Sequence, residues 1–109
     1  MMNNNLPSIT EMIEALALIS EDKDSLTRRY LTSQHKKVNE LVAEWMSVAG
    51  MKAWQDPIGN IVGRYEGHEN GLPALMLGSH LDTVVNAGKY DGMLGVVTAI
   101  HCVASLERQ

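Results

Sequence analysis

The sequence predicts an α/β fold in which helices flank a mostly parallel sheet, entered through an antiparallel hairpin. Three observations predict it. Apolar residues recur at helical spacing in three separate segments, two short extended runs flank a turn-rich stretch, and the run Leu72–Gly78 (LPALMLG) is apolar without alternation. The last pattern suits a strand buried on both faces, which needs neighbours and covering helices on each side.

Residues 1–7 read as a flexible tail, ended by Pro7. Ser8 and Glu11 then have the spacing of a capping box, and Ile9, Met12, Ile13, Leu16 and Ile19 follow one helical stripe to about Ser20. Residues 21–31 are polar and aperiodic, so a surface connection is expected there. Thr32 or Ser33 caps a second helix, whose stripe is Val38, Leu41, Val42, Trp45, Met46 and Ala49, with Gly50 as the left-handed stop. That stripe reads as core rather than a binding groove. Met51–Gln55 and Asn60–Tyr65 flank Asp-Pro-Ile-Gly-Asn and make a hairpin. Leu72–Gly78 is the expected central strand. Gly92–Glu107 carries Met93, Val96, Val97, Ile100, Val103 and Ala104 at helical spacing and makes the last helix.

Composition narrows the function classes. A formal charge of −4 argues against a nucleic-acid partner. The short basic cluster Arg28, Arg29, Lys36 and Lys37 reads as a solvated helix entry. One cysteine, Cys102, excludes an intrachain disulfide and reads as a small packed hydrophobe. No apolar run approaches the roughly 20 residues of a membrane span, and the opening residues lack a secretory pattern, so a soluble, cytoplasmic protein without a membrane partner is expected.

Chemistry concentrates in Gly78-Ser79-His80-Leu81-Asp82-Thr83 and Lys89-Tyr90-Asp91-Gly92-Met93-Leu94-Gly95, where the expected strand gives way to a loop and then a helix. Ligand sites of open α/β sheets form at such strand ends. There His80 can present a ring nitrogen to a metal ion. Asp82, on the same side of an extended chain, can accept the other ring N–H, and Asp91 opens the last helix as a carboxylate able to bridge two ions. Plainer readings stand beside these: a structural histidine, an Asx-turn at Asp82, a helix cap at Asp91, and loop or packing glycines at Gly88, Gly92 and Gly95. His35 and His68 read as surface residues and His101 as a helix-face histidine.

The stretch G-S-H-L-D-T-V followed by Y-D-G-x-L-G-V resembles the metal-site signature of the aminoacylase-type dinuclear amidohydrolases. Within them it looks most like the carbamoylase branch, which acts on allantoate, N-carbamoyl-L-amino acids and β-ureidopropionate. Leu26-Thr27-Arg28, Asn39–Met46 with Ala49-Gly50-Met51, and Asp56 with Gly59–Arg64 (D-x-x-G-N-x-x-G-R) are similar to the branch's early helices and hairpin, so the resemblance runs over residues 8–109. It implies that 8–109 is the N-terminal portion of a catalytic domain, the remainder and a dimerisation domain lying outside this chain. It also implies that His80 ligates one of two divalent ions, Zn²⁺ or Mn²⁺ with Co²⁺ or Ni²⁺ possible, that Asp91 bridges both, and that Asp82 is the catalytic partner of His80. The general base and further ligands, including a Glu-Glu pair, are implied beyond Gln109. The implied reaction is metal-dependent hydrolysis of a ureido or carbamoyl C–N bond by a homodimer, with a small-molecule substrate. Leu26–Leu31, Arg64–Gly67 and His80–Asp91 are worded most like allantoate amidohydrolase. N-carbamoyl-L-amino-acid hydrolase, a related metallopeptidase or deacylase, and a non-catalytic module of the same fold are the alternatives. The 109 residues alone are expected to be inactive.

Overall fold

The computed structural model describes residues 6–106, so expectations for residues 1–5 and for Glu107 lie outside the described residues. Its elements are α1 (Ile9–Ala17), α2 (Ser33–Val48), β1 (Lys52–Gln55), β2 (Ile61–Arg64) and α3 (Met93–Leu106). No described helix is long and apolar enough to cross a membrane.

The capping box forms as expected: Glu11 N–H donates to Ser8 Oγ (3.1 Å) and Ser8 N–H to the Glu11 carboxylate (2.9 Å). Met12, Ile13 and Leu16 are buried on the inner face of α1. The helix stops at Ala17, short of Ser20, because the next residues turn around the Ser20 hydroxyl. That oxygen accepts from the N–H groups of Asp22 (3.0 Å) and Thr27 (2.9 Å) and donates to the Ser25 carbonyl (2.6 Å). Thr32 caps α2 by accepting from His35 N–H (3.2 Å), and Gly50, at φ +99°, turns the chain out of the helix. The strands pair antiparallel in the register Lys52↔Arg64 to Gln55↔Ile61. Asp56 closes the hairpin by accepting from the backbone of Ile58 (3.1 Å) and Asn60 (2.9 Å). The hairpin packs on α2 and α1 packs on α3. His101 joins the ends of this last pair, its Nε2 donating to the Pro7 carbonyl (2.8 Å). One cluster unites Met12, Ile13 and Leu16 with Val38, Val42 and Trp45 and with Met93, Val97 and Ile100.

Several expectations are corrected. The hairpin is the sheet of the described residues, and no parallel pairing occurs among them. Leu72–Gly78 is not a strand: Leu75 and Met76 are 88% and 89% exposed. An extended segment becomes a strand only through hydrogen bonds to a neighbour, and no described segment runs beside this one. Residues 21–31 are not all surface. Leu26, Thr27 and Arg28 are buried and lie antiparallel to residues 83–87, with Ala87 N–H donating to the Leu26 carbonyl (2.8 Å) and Thr83 N–H to the Arg28 carbonyl (2.7 Å). Arg29, Lys36 and Lys37 are exposed as expected of a solvated cluster, but Arg28 is fully buried. Cys102 is exposed, because two residues beyond the inward Ile100 the helix presents its opposite side. His68 is exposed as expected.

His35 is buried rather than on the surface. Its Nδ1 accepts from the N–H of Leu31 (3.1 Å), a residue at φ +64°, so the ring holds the chain in a left-handed turn into α2. Burial lowers the His35 pKa from its ordinary 6.5; the Asp82 charge opposes that shift and the Arg28 charge adds to it. The unfolded chain therefore binds the proton more readily. The stability due to neutral His35 is complete above 6.5 and is lost as pH falls through the lower folded-state value. We expect the urea midpoint to drop between about pH 7.5 and about pH 5.5, and His35→Gln to flatten that slope. Equal slopes in the two proteins would place the acid sensitivity elsewhere.

Candidate metal centre

The motif loop is built on alternation. Leu81 and Thr83 point inward, 6% and 8% exposed, and the side chains of His80 and Asp82 stand between them on the outer side, about half exposed. Thr83 locks the inner side, its hydroxyl oxygen accepting from Arg28 N–H (2.8 Å).

His80 Nδ1 lies 2.8 Å from the main-chain oxygen of Asp82 and 3.8 Å from its carboxylate. A carbonyl can only accept, so Nδ1 carries the hydrogen. In the neutral ring this leaves a lone pair on Nε2, the form that ligates metals. The ring partner is thus Asp82, but through its backbone; the carboxylate remains free to act outward.

Asp91 reaches the same place from the other side. Lys89 pairs with Glu14 of α1, Asp91 N–H closes a turn on the Gly88 carbonyl (3.2 Å), and α3 begins at Met93. Asp91 Oδ1 faces His80 Nε2 at 3.5 Å. That is longer than a sound N–H···O hydrogen bond. It matches the spacing of about 3.4 Å between two ligands on one tetrahedral ion, given metal–nitrogen and metal–oxygen bonds of about 2.0–2.2 Å. The donor set, one imidazole nitrogen and one carboxylate, suits a borderline divalent ion. Among the described residues no group of three or more His, Cys, Asp or Glu side chains converges, so this pair by itself would leave a coordination sphere incomplete.

Two residues that matter here were not singled out as functional from the sequence. Gly92, at φ +92°, lies directly against His80, and a Cβ there would meet the ring Cε1 and the main-chain oxygen at 2.5 Å. The motif spacing hints at this glycine without distinguishing it from a loop glycine. Arg28 lies beneath the loop, its Nε donating to the Leu81 carbonyl (2.9 Å). Burial brings its guanidinium down to about 10, partly offset by the Asp82 carboxylate, so it stays charged at neutral pH. Nothing local in the sequence separates it from its exposed neighbour Arg29.

No family model matches the chain. It is 41% identical over 91 residues to allantoate deiminase 1 of Glycine max, aligning 84% of this chain with 19% of that protein. It is 41% identical over 95 residues to an N-carbamoyl-L-amino-acid amidohydrolase of Pseudomonas sp., aligning 86% of this chain with 23% of that one. A ureidoglycolate hydrolase of Arabidopsis thaliana is 36% identical over 103 residues, with 94% and 22% covered. Among solved structures, AtUAH in complex with glyoxylate superposes with a TM-score of 0.86 at 36% identity, over 92% of this chain and 24% of that one. The chain spans about a fifth to a quarter of the length of these relatives.

Proposed function

Because this chain is homologous to one part of the family of allantoate deiminase, N-carbamoyl-L-amino-acid amidohydrolase and ureidoglycolate hydrolase, we infer that the whole protein hydrolyses a ureido or carbamoyl C–N bond at a pair of divalent ions. The observation that carries this reading is the approach of His80 Nε2 to Asp91 Oδ1 at 3.5 Å, with the opposite ring nitrogen committed to a carbonyl. His80 would hold one ion and Asp91 would bridge to the second. When bound, such ions polarise the scissile carbonyl and make water nucleophilic at neutral pH. Asp82 would serve from its main-chain oxygen, which holds Nδ1 and leaves Nε2 available to an ion. The remaining ligands and the general base come from the rest of the protein, as do the strands that would pair with Leu72–Gly78 in a parallel sheet and the contacts of a homodimer.

Allantoate is the substrate we favour, on the wording of Leu26–Leu31, Arg64–Gly67 and His80–Asp91. Its products would be ammonia, carbon dioxide and a ureido acid. N-carbamoyl-L-amino acids are the second reading, supported by the equal 41% identity to a hydrolase of those compounds. The test is ammonia release by the full-length protein, loaded with Mn²⁺, from allantoate and from N-carbamoyl amino acids. Metal-dependent ammonia from allantoate that disappears in His80→Ala is the expected result. Ammonia from the carbamoyl compounds alone would transfer the assignment to them, and none from either would end the amidohydrolase reading.

A further inference from the structure

We propose that Arg28 is the positioning residue of the metal centre, setting both the orientation of His80 and its separation from Asp91. The proposal rests on the metal-centre reading above and adds to it a residue far from the motif.

Arg28 is completely buried, yet it is bound by three carbonyls and a sulfur rather than by a carboxylate. Nη1 donates to the carbonyls of Leu16 and Ile19, both at 2.7 Å. Leu16 lies in the last turn of α1, where its carbonyl also accepts from Ile19 N–H (3.2 Å), and Ile19 lies just past the end of that helix. Nε donates to the Leu81 carbonyl, and Nη2 to Met93 Sδ at 3.1 Å. The backbone of Arg28 exchanges two further bonds with Thr83: its N–H donates to Oγ1 (2.8 Å), and its carbonyl accepts from Thr83 N–H (2.7 Å).

One residue thus grips Leu81 with its side chain and Thr83 with its backbone, bracketing Asp82. Asp82 is where the constraint matters, because its main-chain oxygen is what His80 Nδ1 binds. The grip on Met93 fixes the first residue of α3, two positions after Asp91. Both arms of the 3.5 Å pair are therefore referred to the same planar group, itself seated on the end of α1. If filling the core were the whole requirement, an apolar side chain of similar volume would avoid the cost of desolvating a cation. A planar donor fork pointing in three directions does what such a residue cannot.

The charge makes the test decisive. Removing a buried cation from beneath a dication site strengthens ion binding by electrostatics alone. Loss of positioning weakens it. Co²⁺ titration of the full-length protein, followed by visible absorption, is expected to show about tenfold weaker binding in Arg28→Met, with an altered cobalt spectrum. Arg28→Lys keeps the charge but loses the fork and is expected to weaken as well. In the metal-free protein, nitrogen NMR of the His80 ring should report the Nδ1–H tautomer, mixed with the other tautomer in Arg28→Met. Wild-type cobalt affinity and an unchanged ring signal in a folded Arg28→Met protein would reduce Arg28 to core packing. Should that variant not fold, Thr83→Val removes one clamp while leaving the guanidinium. Weaker cobalt binding restored by Thr83→Ser supports the proposal, and no change in Thr83→Val overturns it. If the unmodified protein takes up no cobalt, the metal reading fails separately, and the ring tautomer still decides the role of Arg28.

Discussion

Gly92→Ala is expected to lower both Mn²⁺ retention and ammonia release by the full-length protein roughly a hundredfold, the scale of a displacement of about 1 Å in a catalytic group. The new methyl would lie 2.5 Å from His80 Cε1 and 2.6 Å from Nδ1, in a backbone conformation at φ +92° that alanine resists. Relief requires the ring to move away or the turn to open, and each breaks the 3.5 Å approach to Asp91. The conformational penalty alone exceeds about 1 kcal/mol, so a small fall in Tm accompanies the effect without explaining it. Metal analysis after dialysis, run beside kcat/KM, checks the prediction. An active, metal-replete Gly92→Ala protein would mean that the turn has slack the structure does not show.

Asp91→Asn is expected to have an effect as large with no cost in stability. The side chain is 65% exposed and pairs only loosely with His80, so the fold has little to lose, within about 0.5 kcal/mol for such a surface change. What disappears is the charge that would bridge two cations. Outer partners of metal ligands are worth about 10–100-fold, and a direct bridging ligand should exceed that range. Calorimetric ion titration should show the loss, with one ion or none taken up. Asp82→Asn is the informative contrast, since His80 engages the main-chain oxygen of that residue, which the substitution leaves in place. Equal behaviour of Asp91→Asn and Asp82→Asn would remove the distinction drawn between bridging carboxylate and ring partner.

What could be read from the sequence was what is encoded locally. The Ser8–Glu11 box, the Val38–Trp45 stripe, the Asp56–Asn60 turn and the glycine stop at Gly50 each lie within a few residues of their partners, and all appear where expected. The motif residues were legible by type and spacing, and the structure brings His80, Asp82 and Asp91 together on one side. What escaped depends on residues distant along the chain. Arg28 meets Thr83 across 55 positions, and no periodicity announces that a cation in a basic cluster will be drawn under a loop. His35 looked exposed because its burial comes from the turn it stabilises. Leu72–Gly78 has strand composition, but composition does not provide the neighbouring backbone that makes a strand.

The pairing of α1 with α3 has a consequence for how the protein is made. His101 and Pro7 touch although they are 94 residues apart, and the inner face of α1 is completed by a helix near the far end of this chain. At a synthesis rate of about 5–20 residues per second, α1 leaves the ribosome roughly five to twenty seconds before its partner does. During that interval Met12, Ile13 and Leu16 form an amphipathic face without its partner helix. The Arg28 seat cannot close either, because Leu81 and Met93 have not yet been added. The first unit expected to form is therefore α2 with its hairpin, whose contacts span few residues, with α1 docking afterwards. Until α3 emerges, that inner face of α1 is where ribosome-associated chaperones would bind.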